Sequence, residues 1–322
     1  MSDYTIRKLQ TNEFKLLIPL MKNCFGMDVN IDYFEWKFKK NPVGFVEGFI
    51  AIAEDNEVAA YYGVIPELYL INGEQKTIYQ SCDTMTHSNH RRKGLFQKLA
   101  TLCYDSLRNE NKLFIIGFGG GQSTPGFLKF GWQKIFDVRN YFYPYIFTIF
   151  RPLSDIKNIV EITNSMDIEK LILNSNASLP IHSIKGIDQF NWRLSNPFYN
   201  YKIIALKNND GFNYDSYLVY YTSGDKIILF DFFFSNQNSA NLLIGYIKNL
   251  LAEKKLKGII CFCQENSAYS KTLNSIGFIS NPFNKGPLSE KTPFIFYSTD
   301  EKMNNSNHSK LWGINSFDHD AM

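Results

Sequence analysis

The sequence predicts an α/β (α+β) protein built as two tandem units, each a mixed central sheet with a splayed parallel strand pair flanked by helices. Three observations lead there. The first half reads as a strand meander followed by strand, helix, strand, an order that gives an antiparallel run and then a parallel crossover. The second half repeats two aromatic motifs of the first in the same order. The central apolar strand ends in Gly117-Phe-Gly119-Gly120-Gly121, where missing side chains let a sheet open and another group approach. At 322 residues the chain suits two domains of ordinary size.

Each element has a local reason. Residues 4–10 alternate as a half-buried strand, and 13–24 form an apolar helix. Residues 31–40 read as a helix stopped by Asn41-Pro42. Two β-rich runs follow, 49–54 and 58–71, and Ile71-Asn72-Gly73-Glu74 marks a hairpin because Asn-Gly accepts the positive φ angles of a tight turn. Strand 77–86 then leads into a basic turn and helix 94–110, with Leu95, Phe96, Leu99, Leu102, Cys103 and Leu107 on its apolar face. The run 113–118 is apolar throughout, as a central parallel strand should be. A short helix over 124–130 and a strand from Trp132 complete the first unit.

The repeat is explicit. Phe34-Glu-Trp36-Lys-Phe-Lys-Lys-Asn41-Pro42 returns as Phe190-Asn-Trp192-Arg-Leu-Ser-Asn196-Pro197, and Phe127-Leu-Lys-Phe-Gly131-Trp132 returns as Leu273-Asn-Ser-Ile-Gly277-Phe278. Between these anchors helix 239–255 feeds strand 258–262, as helix 94–110 feeds strand 113–118. The division expected is a first unit over 1–150, a linker and helix over 151–180, a second unit over 181–300 and a tail over 301–322.

The stretch from Thr84 to Phe96 carries the chemistry. A basic, glycine-containing turn opening a helix points backbone N–H groups in one direction beside the positive end of the helix dipole, a seat for a diphosphate. Arg91-Arg92-Lys93-Gly94-Leu95-Phe96 resembles the Arg/Gln-x-x-Gly-x-Gly/Ala loop of the GNAT superfamily of acyl-CoA-dependent N-acyltransferases, with Phe96 where Gly or Ala is usual. The R-x-x-G-[LI]-F form after D-T-x-T-H is similar to a two-domain, tandem-GNAT subgroup often encoded among surface-polysaccharide genes. The second unit has Phe232-Phe-Phe-Ser-Asn-Gln-Asn-Ser239 at this place, without a basic residue or glycine, so it reads as a degenerate GNAT-like domain and the chain as having one active site.

The resemblance implies that Arg91, Arg92, Lys93, Gly94, Leu95 and Phe96 hold the pyrophosphate of coenzyme A, and that Met85 and Thr86 pair with its pantetheine arm. Many GNAT enzymes protonate the leaving thiolate with a tyrosine four residues before a Gly-aromatic pair; here that position is Phe127, which has no proton to give. Ser123 is the nearest replacement, with helix capping as its alternative role. Asp83 is the candidate for taking the amine proton, with loop anchoring as its alternative. His87, His90 and Glu67 rank behind it. The tail segment Leu311-Trp312-Gly313 to Phe317 is aromatic enough to dock; docking against the first unit would carry Asp318, His319, Asp320 or the terminal carboxylate towards the acceptor, as enhanced-intracellular-survival-type acetyltransferases are similar in doing, with plain packing as the alternative role.

Composition narrows the partners. The chain is 44% hydrophobic and 20% charged with a net charge of +3, too small to imply nucleic acid or a membrane surface. No apolar run approaches the roughly 20 residues of a membrane span. The five cysteines Cys24, Cys82, Cys103, Cys261 and Cys263 read as reduced core residues of a cytoplasmic protein, and no Cys/His spacing suggests a metal. The GNAT resemblance implies transfer of an acetyl group from acetyl-CoA to a primary amine by direct attack on the thioester, and the subgroup resemblance alone favours an amino sugar, nucleotide-linked, as the acceptor. Two alternatives stay open: a non-catalytic coenzyme A-binding protein, favoured by Phe127, and a peptidoglycan aminoacyltransferase-like protein. A homo-oligomer is compatible with the sequence.

Overall fold

The Asn72-Gly73 turn, with both residues at positive φ (52° and 88°), closes the long hairpin on which the first unit is built. A computed structural model of the chain describes residues 4–108, 113–120, 123–149, 158–175, 179–208, 211, 213–281, 285, 288–289, 291–300 and 309–320. Its first half runs β1 (Thr5–Lys8), α1 (Leu17–Phe25), α2 (Ile31–Phe34), β2 (Glu47–Ile52), β3 (Val58–Ile71), β4 (Glu74–Thr86), α3 (Leu95–Leu107), β5 (Phe114–Phe118), α4 (Thr124–Lys129), β6 (Gln133–Pro144) and α5 (Ile146–Ile149). The second half runs β7 (Ile159–Ile162), α6 (Glu169–Asn174), β8 (Ile181–Ser183), α7 (Ile187–Leu194), β9 (Lys202–Lys207), β10 (Tyr214–Ser223), β11 (Lys226–Phe233), α8 (Gln237–Lys254), β12 (Gly258–Gln264), α9 (Ala268–Ser275), β13 (Ile279–Ser280) and β14 (Lys291–Ser298).

All strands join one sheet in the order β1-β2-β3-β4-β5-β14-β6-β12-β11-β10-β9-β7, with β8 added to β3 and β13 to β6. The two units are interlocked rather than merely adjacent. β14, from the end of the second half, pairs with β5 of the first, while β6 of the first half pairs with β12 of the second. The exchange is anchored by Phe294, fully buried and stacked on Phe136 at 5.0 Å. β7, an outer strand on β9, lies within the stretch expected to be linker and helix. Its four residues are too short to announce a strand in sequence.

The repeated motifs have the same structural job in both units. Gly131 and Gly277 both take positive φ (88° and 99°) after a short helix, and the next N–H, of Trp132 or Phe278, returns to the carbonyl of Phe127 or Leu273. The sheet faces are equally distinct. Leu95, Leu99 and Cys103 of α3 pack on one face with Tyr62, Val64 and Ile115. On the other face α1 and α2 pack against Tyr61, Ile65, Cys82 and Met85. Trp312 and Ile314 of the tail join Ile78, Phe114 and Ile116 on that second face. The tail therefore docks, as its aromatic content led us to expect.

The described cysteines are all free. No helix among the described residues is long and apolar enough to cross a membrane.

Candidate active site

The parallel pair β4 and β5 is hydrogen-bonded only at Tyr79–Ile115 and Gln80–Ile116. Beyond that point β4 continues to Thr86 and β5 to Phe118 without pairing, so the sheet opens into a V-shaped gap. A bulge begins just past the last pair. Tyr61 faces Met85 but Gly63 faces Cys82, so one extra residue of β4 is accommodated there. Asp83 takes φ +46° inside the bulge, a conformation that costs a non-glycine residue of order 1 kcal/mol and that a packed environment must hold.

That environment is built by α2 and the tail. Past α2 the helix widens into a π turn over Glu35–Lys39, closed by Lys40 N–H to Glu35 O, and Lys37 enters the core from it. Lys37 Nζ lies 2.9 Å from both Asp83 Oδ2 and Asp320 Oδ2, and 3.0 Å from Tyr33 Oη. The Tyr33 hydroxyl reaches the Asp83 carboxylate at 3.2 Å. Burial opposes the Lys37 charge, but Asp320 and Asp83 outweigh it and raise its pKa. One cation then serves two carboxylates. Burial and the neighbouring Asp320 lift Asp83 above the usual carboxylate range despite Lys37. For Asp320 the burial penalty is overcome by Lys37 and His319, and its pKa is lowered.

The tail crosses the gap at this level. The His319 ring packs on Phe118, the last residue of β5, with centroids 4.4 Å apart, and its Nδ1 is 3.8 Å from Asp320 Oδ1. Arg193 donates to the His319 carbonyl. Burial pushes His319 down to about 4, so its imidazole is neutral at pH 7. Phe118, His319, Asp320, Lys37 and Asp83 thus form a chain of contacts from one lip of the gap to the other. Below it, Glu67, Tyr69, Gln80, Arg193, Phe317 and Asp318 line a small polar cavity. Gln189 donates to Glu67 at 2.7 Å, and burial pushes Glu67 up to about 8, with Arg193 opposing. As a whole residue Glu67 is half-buried.

At the mouth of the gap the basic turn has the shape a diphosphate needs. Arg92 (φ 64°) and Gly94 (φ 74°) are both left-handed, and Gly94 precedes α3 without a side-chain cap. The first N–H groups of α3 have no partners within the helix and lie beside the positive dipole end. A Cβ at Gly94 would meet nothing within 4 Å, so the space over the turn is open. Arg91, Arg92 and Lys93 are exposed, and Leu95 is buried under them as the helix anchor. His87 N–H bonds Ala59 O on β3, so by strand alternation Thr86 turns its backbone groups to the gap while Met85 turns its own to β3. Among the two residues expected to meet a pantetheine arm, Thr86 is the one facing it. Arg91 Nε already reaches the Thr86 carbonyl at 3.5 Å.

The two departures from the GNAT pattern touch each other. Phe96 and Phe127 pack edge to face at 5.0 Å, with Tyr62 and Trp132 alongside. Ser123 does not cap α4 by its side chain; its hydroxyl accepts from Gly120 N–H at 3.1 Å. Its neighbours Gly121 and Gln122 lie outside the described residues, as do Met322 and the terminal carboxylate.

His87 and His90 both approach Glu57, at 3.4 and 3.1 Å, a grouping that could hold a metal ion. His87 Nδ1 accepts the Asn89 N–H, which leaves its proton on Nε2, facing Glu57. The His90 Nδ1 is taken by Tyr4 Oη at 2.9 Å. Lys37 was not singled out in the sequence, where it sits in a run of lysines; its signal was its place inside the repeated Phe34–Trp36 motif.

Residues 5–135 match a family model described as Acetyltransferase (GNAT) domain. The first half of the chain carries a GNAT acetyltransferase domain. The chain is thereby an acyltransferase, and the chemistry of its GNAT domain is acyl transfer from a coenzyme A thioester. No curated protein matches the chain by sequence. Solved structures extend the fold over the rest. A probable N-acyltransferase from Enterococcus faecalis V583 is similar with a TM-score of 0.67 and 11% identity over 92% of this chain and 72% of that one. Saccharomyces cerevisiae N-myristoyltransferase with bound myristoyl-CoA gives 0.66 and 10% over 93% and 84%. A GCN5-related N-acetyltransferase from Anabaena variabilis ATCC 29413 gives 0.66 and 11% over 91% and 72%. At such identities the likeness is one of fold, and it spans both units.

Proposed function

We propose that this chain is a tandem-GNAT enzyme that transfers an acetyl group from acetyl-CoA to a primary amine, with an amino sugar of the kind used in surface polysaccharides as the acceptor. The observation that carries the reading is the gap itself: strands that part after Gln80 and Ile116, an open anion seat at Gly94 at the mouth, and titratable groups across one face. The residues fit the cofactor. Backbone N–H groups of the turn before α3, with Arg91, Arg92 and Lys93, hold the diphosphate, and Thr86 aligns the arm. Bound acetyl-CoA supplies an activated thioester carbonyl.

The chain's own part is to position the amine and take its proton. As the new nitrogen–carbon bond forms and the carbon–sulfur bond breaks, one proton must leave the amine and one must reach the thiolate. Asp83 takes the amine proton in this reading, because its raised pKa makes it a stronger base than an ordinary aspartate. His319, neutral and packed over Phe118 beside Asp320, orders that side of the gap rather than serving as a base. Ser123, held by Gly120 at the end of β5, is the donor to the thiolate. Positioning supplies the larger share of the acceleration, since the thioester is already activated.

The test is calorimetric titration of wild type and Gly94→Asp with acetyl-CoA, followed by thiol release over a panel of amines and amino sugars. A carboxylate placed over the anion seat should weaken binding at least a hundredfold while the fold survives. Equal affinity in the two proteins would remove the loop assignment, and a wild type that never turns over any amine would leave a coenzyme A-binding protein.

A further inference from the structure

The second unit has a strand gap of its own. β11 and β12 are parallel from Lys226–Gly258 to Leu229–Cys261, and then β11 runs on to Phe233 and β12 to Gln264. A bulge follows the last pair here too, between Leu229 and Asp231. The two units therefore share the same device, a parallel pair that parts just before a bulge bearing an aspartate.

This second gap is filled by the chain's own tail. Gln264 N–H donates to Ile314 O at 3.1 Å, and Asn315 forms an antiparallel bridge with Cys263. The Ser316 hydroxyl lies 3.0 Å from Leu229 O and 3.1 Å from Phe262 O, one on each parting strand. Asn315 Nδ2 donates to Asp231, which Lys185 (2.6 Å) and Tyr217 (2.7 Å) also bind. The helix start is filled as well. Asp215 accepts from Ser235, just before α8, at 2.5 Å and from Ser239 in its first turn at 2.6 Å, where the first unit leaves α3 open beside Gly94. Burial opposes the Asp215 charge, but these hydroxyls outweigh it and hold the group ionised.

Two segments of this chain thus stand where the first unit has room for a ligand: a carboxylate at the helix N-terminus and a strand-like backbone in the gap. The segment in the gap runs directly into the active site. Asp318 is tied to Ser183 at 2.6 Å and to Gln80 through its carbonyl at 2.7 Å; His319 and Asp320 follow, at Phe118 and Lys37.

We infer that the second unit's gap is a clamp for the chain's own tail, with Ser316, Asn315 and Asp231 as positioning residues that deliver His319 and Asp320 to the acceptor side of the first unit. The inference rests on the acyltransferase reading above. It gives the second unit a role that needs no ligand of its own and predicts one coenzyme A site per chain.

The experiment uses the full chain as wild type, Ser316→Ala, Asp231→Asn, His319→Gln and Ser316→Ala/His319→Gln. Three quantities are read: acetyl-CoA stoichiometry by calorimetry, kcat and KM in thiol release, and hydrogen exchange of the Gln264 amide. We expect one acetyl-CoA per chain throughout. Ser316→Ala should lower kcat about tenfold with KM for acetyl-CoA within twofold, speed Gln264 exchange, and cause a smaller loss in the His319→Gln background, where only Asp320 remains to be placed. Asp231→Asn, which keeps the side-chain shape, repeats the test if Ser316→Ala fails to fold. Two acetyl-CoA per chain would overturn the clamp, as would equal losses in both backgrounds, or unchanged kcat despite faster exchange. A wild type that neither binds nor turns over acetyl-CoA would strike the acyltransferase reading instead. In that case the clamp is decided by Gln264 exchange, which Ser316→Ala must accelerate.

Discussion

Trp36 and Trp192 exchange hydrogen bonds: the indole N–H of each donates to the main-chain carbonyl of the other, at 2.7 and 2.8 Å, with the rings stacked 5.5 Å apart. They occupy the same place in the two copies of the repeated motif, so the internal symmetry of the sequence becomes a physical contact between the units. Both rings are buried, and the Trp192 carbonyl also accepts from the Ser195 hydroxyl at 2.7 Å and the Ser195 N–H at 3.1 Å.

Trp192→Phe keeps a ring in the stack and leaves the Trp36 carbonyl unpaired. It should cost about 1–3 kcal/mol, the penalty of an unsatisfied buried acceptor plus lost packing. Trp36→Phe should cost less, because the Trp192 carbonyl keeps its bonds from the Ser195 hydroxyl and N–H. Urea unfolding of the two single variants and the double variant checks this. Because the pair is in contact, the double loss should fall short of the sum of the single losses.

Lys37→Met removes the cation that Asp83 and Asp320 share and leaves two carboxylates facing each other under cover. At neutral pH the loss should be about 3–5 kcal/mol, the range for breaking a buried pair. Both carboxyl pKa values then rise in the folded state, so the variant should recover stability as pH falls towards 5. Denaturant melts at pH 5 and pH 8 measure the difference. A variant equally destabilised at both would mean that Lys37 acts by packing alone.

How much of this could be read in the sequence follows from how local each cause is. The hairpin at Asn72-Gly73, the α3 turn at Gly94 and the stop at Asn41-Pro42 are written in a few adjacent residues, and all three appear where expected. The exchange of β14 and β6 is not, because nothing near Phe294 says whether its strand will pair beside β5 or beside β12. Lys37 was hidden by the π turn, which rotates it off the face that simple helical spacing assigns. Asp83 could be named as a candidate, but the bulge that sets its backbone depends on β3 across the hairpin. The partners of Asp83 come from residues 33, 37 and 320, and only a fold brings those together.

Glu67 offers a stability change of the opposite sign. Its folded pKa of about 8 lies above the ordinary carboxyl value of 4.5, so the folded chain holds a proton that the unfolded chain has released. Stability associated with that proton is complete below about pH 4.5 and is lost as pH rises towards 8. Glu67→Gln preserves the shape and the bond to Gln189 without a charge to bury. It should gain about 2 kcal/mol or more over wild type at pH 8 and nothing at pH 4.5. Thermal unfolding at the two pH values gives the answer, and thiol release by the same variant shows whether the stability is gained at the expense of activity.

His319 governs the tail from the acid side. Its folded pKa of about 4 lies below the ordinary value of 6.5, so protonation favours the unfolded or undocked state. Its contribution is whole above pH 6.5 and is lost as pH falls from 6.5 to 4, with a slope of at most about 1.4 kcal/mol per pH unit. Glu67 changes in the other direction over much of this range, so the total stability curve of the wild type will conceal both groups. The comparison of wild type with His319→Gln separates them, because the variant keeps Glu67 and loses only the imidazole. Between pH 6.5 and 4.5 the wild type should lose stability relative to His319→Gln, and Gln264 exchange should accelerate in the wild type alone. If the two proteins keep parallel stability and exchange across that range, His319 is not a buried neutral imidazole and the tail is held without regard to its charge.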